Sequence, residues 1–126
     1  MFRPGFDDEP RPLALIVEDE FLIAMVLEAL LTSHGWRVLG PAMSIEGALS
    51  LLREERPDVA VLDLNVQNRF VTPVAEMLSS WGVPFVVASA QVHLSPEITV
   101  LANVPWVNKP IREDRLLALL EELLMK

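Results

Sequence analysis

Continuous apolar runs of strand length alternate along this chain with segments whose apolar residues recur at helical spacing. Leu13 to Val17 is the first run, and it ends in Glu18-Asp19-Glu20. From Phe21 to about Ser33 good helix formers follow, with Glu28 as the single charge and Gly35 as the stop signal. Trp36-Arg37-Val38-Leu39 reads as a short strand closed by the turn Gly40-Pro41. Ser44 is placed to cap the next helix, in which Ile45, Ala48, Leu49 and Leu52 follow the i, i+3, i+4, i+7 rule. Val59-Ala60-Val61-Leu62, entered after Arg56-Pro57, reads as a strand buried on both faces that ends in Asp63. A polar loop from Asn65 to Arg69 then leads to Thr72-Pro73, a cap with proline at the first helical position. Val74, Met77, Leu78 and Trp81 form the buried stripe of that helix, and Gly82 ends it. Pro84 to Ser89 is a fourth buried strand, ending in a hydroxyl. Ser95-Pro96-Glu97 opens a helix with room for little more than one turn before Asn103. A fifth strand, Val104 to Asn108, ends in Lys109-Pro110, and the last helix runs from about Arg112 to Met125 on Leu116, Leu120, Leu123 and Leu124.

Five strands alternating with five helices predict an α/β fold: a doubly wound, flavodoxin-like (βα)5 sandwich on a parallel sheet of order 2-1-3-4-5, with its fourth helix truncated. A chain of 126 residues fits one such domain, expected over residues 13–126 behind a flexible tail at 1–12. With 52% hydrophobic and 22% charged residues the chain is not of the disordered class. A net charge of -8 argues against a nucleic-acid partner or an anionic membrane. Cysteine is absent, which rules out disulfides and thiolate metal sites. The first twelve residues lack the apolar stretch of a signal peptide, and the longest apolar run, Phe21 to Leu27, is too short to span a bilayer. A soluble, cytoplasmic protein is expected.

Candidate chemistry enters where the strands end. Glu18 and Asp19 close the first strand, Asp63 the third, Ser89 the fourth and Lys109 the fifth, and in this sheet order the three acids meet at the switch point between the first and third strands. Ionised carboxylates so close repel one another, and a hard divalent cation with oxygen ligands, Mg2+ above all, relieves the repulsion. Lys109 adds a second positive charge. An aspartate carboxylate can attack a phosphoryl group, and such a transfer needs mostly positioning and neutralisation of the phosphoryl oxygens, which Lys109 and Ser89 are suited to supply. His34 and His93 have no partner motif and read as structural or surface residues, while Trp36 and Trp81 read as packing.

Val17-Glu18-Asp19-Glu20, Val61-Leu62-Asp63, Ala88-Ser89-Ala90 and Asn108-Lys109-Pro110 together resemble the receiver domain of a two-component response regulator, from about Leu13 to Lys126. The resemblance implies that Asp63 is the phosphoacceptor and that Glu18 and Asp19 are the acidic pair that binds Mg2+, with the Asn65 backbone carbonyl as a further ligand. It implies Ser89 as the switch hydroxyl, Lys109 as the lysine that pairs with the phosphoryl group, and Trp106 as the aromatic that swings with the switch. The partners implied are a sensor histidine kinase or phosphotransfer protein and a downstream protein target, with a homodimer as a further possibility. The first helix, apolar all round, is expected to be covered on its outer side, with Ala24, Leu27 and Leu31 as the docking residues for the kinase or a second copy. Gly40-Pro41-Ala42, Gly82-Val83-Pro84-Phe85, a loop after Asp63 without the usual proline and downstream glycine, and the short fourth helix look similar to single-domain alphaproteobacterial receivers. Those carry Phe-Ala-Thr-Gly and an aromatic where this chain has Val87-Ala88-Ser89-Ala90-Gln91. A degenerate receiver that binds partners without phosphorylation is the main alternative. An aspartyl-phosphate hydrolase is disfavoured because Asn65 stands where its second acid belongs, and a flavin module because no phosphate-binding loop follows the first strand.

Overall fold

The computed structural model describes residues 11–90 and 104–125. The chain forms β1 (Leu13–Val17), α1 (Phe21–Ser33), β2 (Arg37–Ala42), α2 (Ile45–Glu54), β3 (Val59–Asp63), β4 (Asn65–Val66), β5 (Arg69–Phe70), α3 (Thr72–Ser80), β6 (Phe85–Ser89), β7 (Trp106–Asn108) and α4 (Glu113–Leu124). Five strands pair in parallel in the order β2-β1-β3-β6-β7, the arrangement 2-1-3-4-5 when sheet strands alone are numbered, and the sandwich is flavodoxin-like. The truncated fourth helix, His93 and most of the N-terminal tail lie outside the described residues. Among the described residues no helix is long and apolar enough to cross a membrane.

Period-two alternation divides the core into two layers. Leu15, Val17, Ala60, Leu62, Phe85 and Val87 pack under α2 and α3. Ala14, Ile16, Val59, Val61, Val86 and Ala88 face the other way, toward α1 and α4. Because both faces of β1, β3 and β6 are covered, every residue of these strands is buried, which is why they read as uninterrupted apolar runs. Polar side chains are left only at their ends.

The second strand does not stop at Gly40-Pro41. It continues to Ala42 because the pair is absorbed as a bulge: Leu15 pairs with Leu39 and Val17 with Ala42, so one residue of β1 is matched by two of β2. Gly40 takes φ 94° there, and a Cβ on it would meet the Ala42 nitrogen at 2.6 Å and the Ile16 oxygen at 3.2 Å. The extension holds the backbone just beyond β1 in place, since the Ala42 carbonyl accepts from the Glu18 N–H at 2.9 Å. Gly40→Ala is therefore expected to lower stability by at least about 1 kcal/mol, read as an earlier urea midpoint at unchanged slope. An unchanged midpoint would show that the bulge is not required.

The stretch after Asp63 also differs from expectation. Instead of a polar loop, β4 and β5 form a small antiparallel hairpin, Asn65 opposite Phe70 and Val66 opposite Arg69. Ser44 caps α2 as its position suggests, its Oγ accepting from the Gly47 N–H at 2.9 Å. Thr72 is instead the first residue of α3, behind Val71, and makes no cap. The fifth sheet strand begins at Trp106, after Pro105, whose carbonyl still accepts from the Val87 N–H at 3.0 Å.

Candidate functional site at the carboxyl edge of the sheet

The ends of β1, β3, β6 and β7 converge. Glu18, one residue beyond β1, is 1% exposed; Asp63, the last residue of β3, is 7% exposed. Both are held by register, since Asp63 pairs with Ala88 of β6 while the Glu18 backbone hangs on Ala42. Glu18 Oε2 accepts from the Glu20 N–H at 3.0 Å, and its Oε1 accepts from Lys109 Nζ at 3.0 Å. Lys109 Nζ also stands 3.2 Å from Asp63 Oδ1, so one ammonium bridges the two buried acids. Lys109 is delivered by the end of β7, where its N–H donates to the Ser89 carbonyl at 3.0 Å, and its peptide bond to Pro110 is cis. Ser89 is buried and pairs with Asn108.

Asp19 completes the acidic group. Its Oδ2 accepts from the Gln67 N–H at 2.7 Å, which ties it to the hairpin. Glu18, Asp19 and Asp63 each offer a carboxylate oxygen, and these atoms lie within 4.8 Å of one another. Burial first, and then the Glu18 charge, push Asp63 up from 3.8 to about 7, against the pull of Lys109. For Lys109, burial works to lower the value, but the hydrogen bond to Glu18 and the charges of Asp63 and Glu18 outweigh it and raise it.

Three carboxylates against one ammonium leave excess negative charge in an oxygen-only donor set, which fits a hard divalent cation such as Mg2+ and does not fit a thiophilic metal. Asn65 is half-buried at the start of β4, two positions after Asp63. Trp106 is half-buried on β7 opposite Val87, so by strand periodicity it shares a sheet face with Ser89 and packs on the layer under α2 and α3.

Ala24 and Leu31 require correction as docking residues: both are buried in the core on the sheet side of α1, as is most of Leu27, although Leu27 also lines a surface groove. A helix apolar all round does not reveal which face turns inward, and here the outward residues are Phe21, 61% exposed, Leu22, 76% exposed, Met25 and Val26. Leu22, Val26 and Leu27 line a groove of about 240 Å³ with Lys109, Pro110 and Ile111. Nor does any local pattern announce the Gln67 amide, or the ion pair between Arg69 and Glu46 that ties the hairpin to α2.

The sequence profile of the response regulator receiver domain matches residues 14–121. The chain belongs to that family. This receiver domain is 33% identical over 109 residues to the transcriptional regulatory protein KdpE of Mycobacterium tuberculosis, covering 84% of this chain and 48% of KdpE. It thus spans about half the length of the curated relatives it matches. Over 53 residues it is 49% identical to the transcriptional regulatory protein AfsQ1 of Streptomyces coelicolor, covering 42% of this chain and 23% of that protein. Among solved structures, the response regulator PhyR from Brucella abortus superposes with a TM-score of 0.76 at 28% identity, over 93% of this chain and 49% of that one. A CheY-like receiver domain protein from Methanospirillum hungatei gives a TM-score of 0.80 at 21% identity, over 92% and 95% of the two chains, and bears on the fold alone. The likeness to single-domain alphaproteobacterial receivers rests on the sequence motifs alone.

Proposed function

We propose that this receiver domain accepts a phosphoryl group on Asp63 from the phosphohistidine of a sensor kinase or phosphotransfer protein. The supporting observation is the grouping of Asp63 with Lys109 at 3.2 Å and with Glu18 and Asp19 at carboxylate contact range. In the transfer, an Asp63 oxygen forms the bond to phosphorus as the P–N bond of the donor breaks and its electron pair returns to the imidazole. Glu18, Asp19, Asp63 and the Asn65 carbonyl would hold Mg2+, which when bound supplies positive charge to the phosphoryl oxygens and to the crowded carboxylates. Lys109 leaves its bridge between Glu18 and Asp63 to pair with one phosphoryl oxygen, and the Ser89 hydroxyl donates to another. The new charge shifts the population toward a state in which Ser89 is drawn to the phosphoryl group, and Trp106, on the same face, follows it. The output is altered binding of a protein target.

The donor docks on the exposed apolar face of α1 and the groove beside Lys109. Met25→Glu and Leu22→Glu are expected to slow phosphotransfer from a histidine-phosphorylated kinase about tenfold or more while leaving phosphorylation by the small donor phosphoramidate unchanged. Transfer at the wild-type rate in both variants would remove this face from the docking site. Absence of any transfer to the wild type, with continuous turnover of a phosphomonoester instead, would replace the switch by a hydrolase.

A further inference from the structure

The hairpin of β4 and β5 is built to hold one carboxylate. Gln67 and Asn68 at its tip are both left-handed, with φ 52° and 64°, as in the two-residue turn that matches strand twist. In that turn the Gln67 N–H meets Asp19 Oδ2 at 2.7 Å, the short end of the range for a charge-assisted bond. The hairpin cannot swing away freely. Val66 and Val71 are fully buried, the Val71 N–H donates to the Leu64 carbonyl at 2.9 Å, and Arg69 pairs with Glu46 in the first turn of α2.

We propose that the Gln67 backbone amide is a positioning group for divalent-cation binding, fixing Asp19 through one oxygen and leaving the other for the ion. The inference rests on the reading of Glu18, Asp19 and Asp63 as the cation site. A carboxylate bonded at one oxygen has lost the rotation it would otherwise lose on binding, and such supports to ligands contribute about tenfold or more to metal affinity. The affinity is therefore set by the backbone conformation at the tip, not by the side chains of Gln67 and Asn68. Valine is disfavoured at positive φ, whereas glycine adopts it freely.

The test is Mg2+ titration of the full chain by calorimetry, alongside the Gln67 amide resonance in 15N-labelled protein. Asn68→Val is expected to bind Mg2+ roughly tenfold more weakly, with the metal-free Gln67 amide shifted upfield as its bond to Asp19 is lost. Asn68→Gly and Gln67→Ala should keep wild-type affinity and the downfield amide. Wild-type affinity in Asn68→Val would overturn the inference while leaving the proposed function standing. Equal weakening in Asn68→Gly and Asn68→Val would overturn it too, because a glycine preserves the turn. A wild-type chain that binds no Mg2+ would overturn the proposed function and this inference together.

Discussion

Without divalent cations the receiver domain is expected to lose stability relative to its Asp63→Asn variant as the pH rises from about 4 to above 7. Asp63 sits at about 7 in the fold against an ordinary value of 3.8, so the folded chain holds its proton more tightly than the unfolded chain does. A raised carboxyl favours the fold fully below the unfolded value and loses that contribution as the pH passes the folded one. Three pH units of separation correspond to roughly 4 kcal/mol, the full difference being reached near pH 8. Other carboxylates contribute with their own slopes. The informative quantity is accordingly the difference between wild type and Asp63→Asn in urea unfolding at each pH with a chelator present. That difference should grow in favour of Asn between pH 4 and pH 8 and shrink when Mg2+ is added to the wild type. A flat difference would mean that Asp63 ionises in the fold as easily as in the unfolded chain.

Removing Lys109 should have opposite effects on metal binding and on chemistry. Its ammonium is 3.0 Å from Glu18 and 3.2 Å from Asp63, and Glu18 is 1% exposed. Lys109→Ala leaves two buried carboxylates facing each other, which in the chelated protein at pH 8 destabilises by about 3 kcal/mol. The loss should be smaller in the double variant with Asp63→Asn, where one of the charges is gone, so the two substitutions are coupled in a double-mutant cycle. Mg2+ affinity should hold or rise, because a cation that shares the carboxylates has been removed. Phosphorylation by phosphoramidate should nonetheless slow about a hundredfold, the effect of removing one donor to a charge that develops in the transition state. If the two readouts fell together, Lys109 would be acting on the acids alone.

The place of the candidate site was legible because the sheet is buried on both faces. In such strands any polar residue stands out, and Glu18, Asp63 and Ser89 stand at the ends of apolar runs that leave no doubt about direction. What lay hidden depends on contacts between distant residues. The hairpin tip bonds Asp19 across 48 positions of sequence, and Gln67-Asn68 lacks the glycine that usually announces its turn, leaving Asn68 as the one residue known to tolerate it. Gly40-Pro41 reads locally as a stop, whereas pairing with β1 carries the strand through it as a bulge. On α1 the even spread of apolar residues hides which face is core, so Ala24 and Leu31, expected to dock a partner, lie on the sheet side of the helix.

Phosphoryl acceptance by Asp63 is tested most directly by the intact mass of the chain after incubation with phosphoramidate and Mg2+. The wild type should gain the mass of one phosphoryl group, lose it under alkaline hydroxylamine as an acyl phosphate does, and gain nothing in the presence of chelator or as Asp63→Asn. An unchanged wild-type mass, or an equal gain in Asp63→Asn, would contradict the assignment.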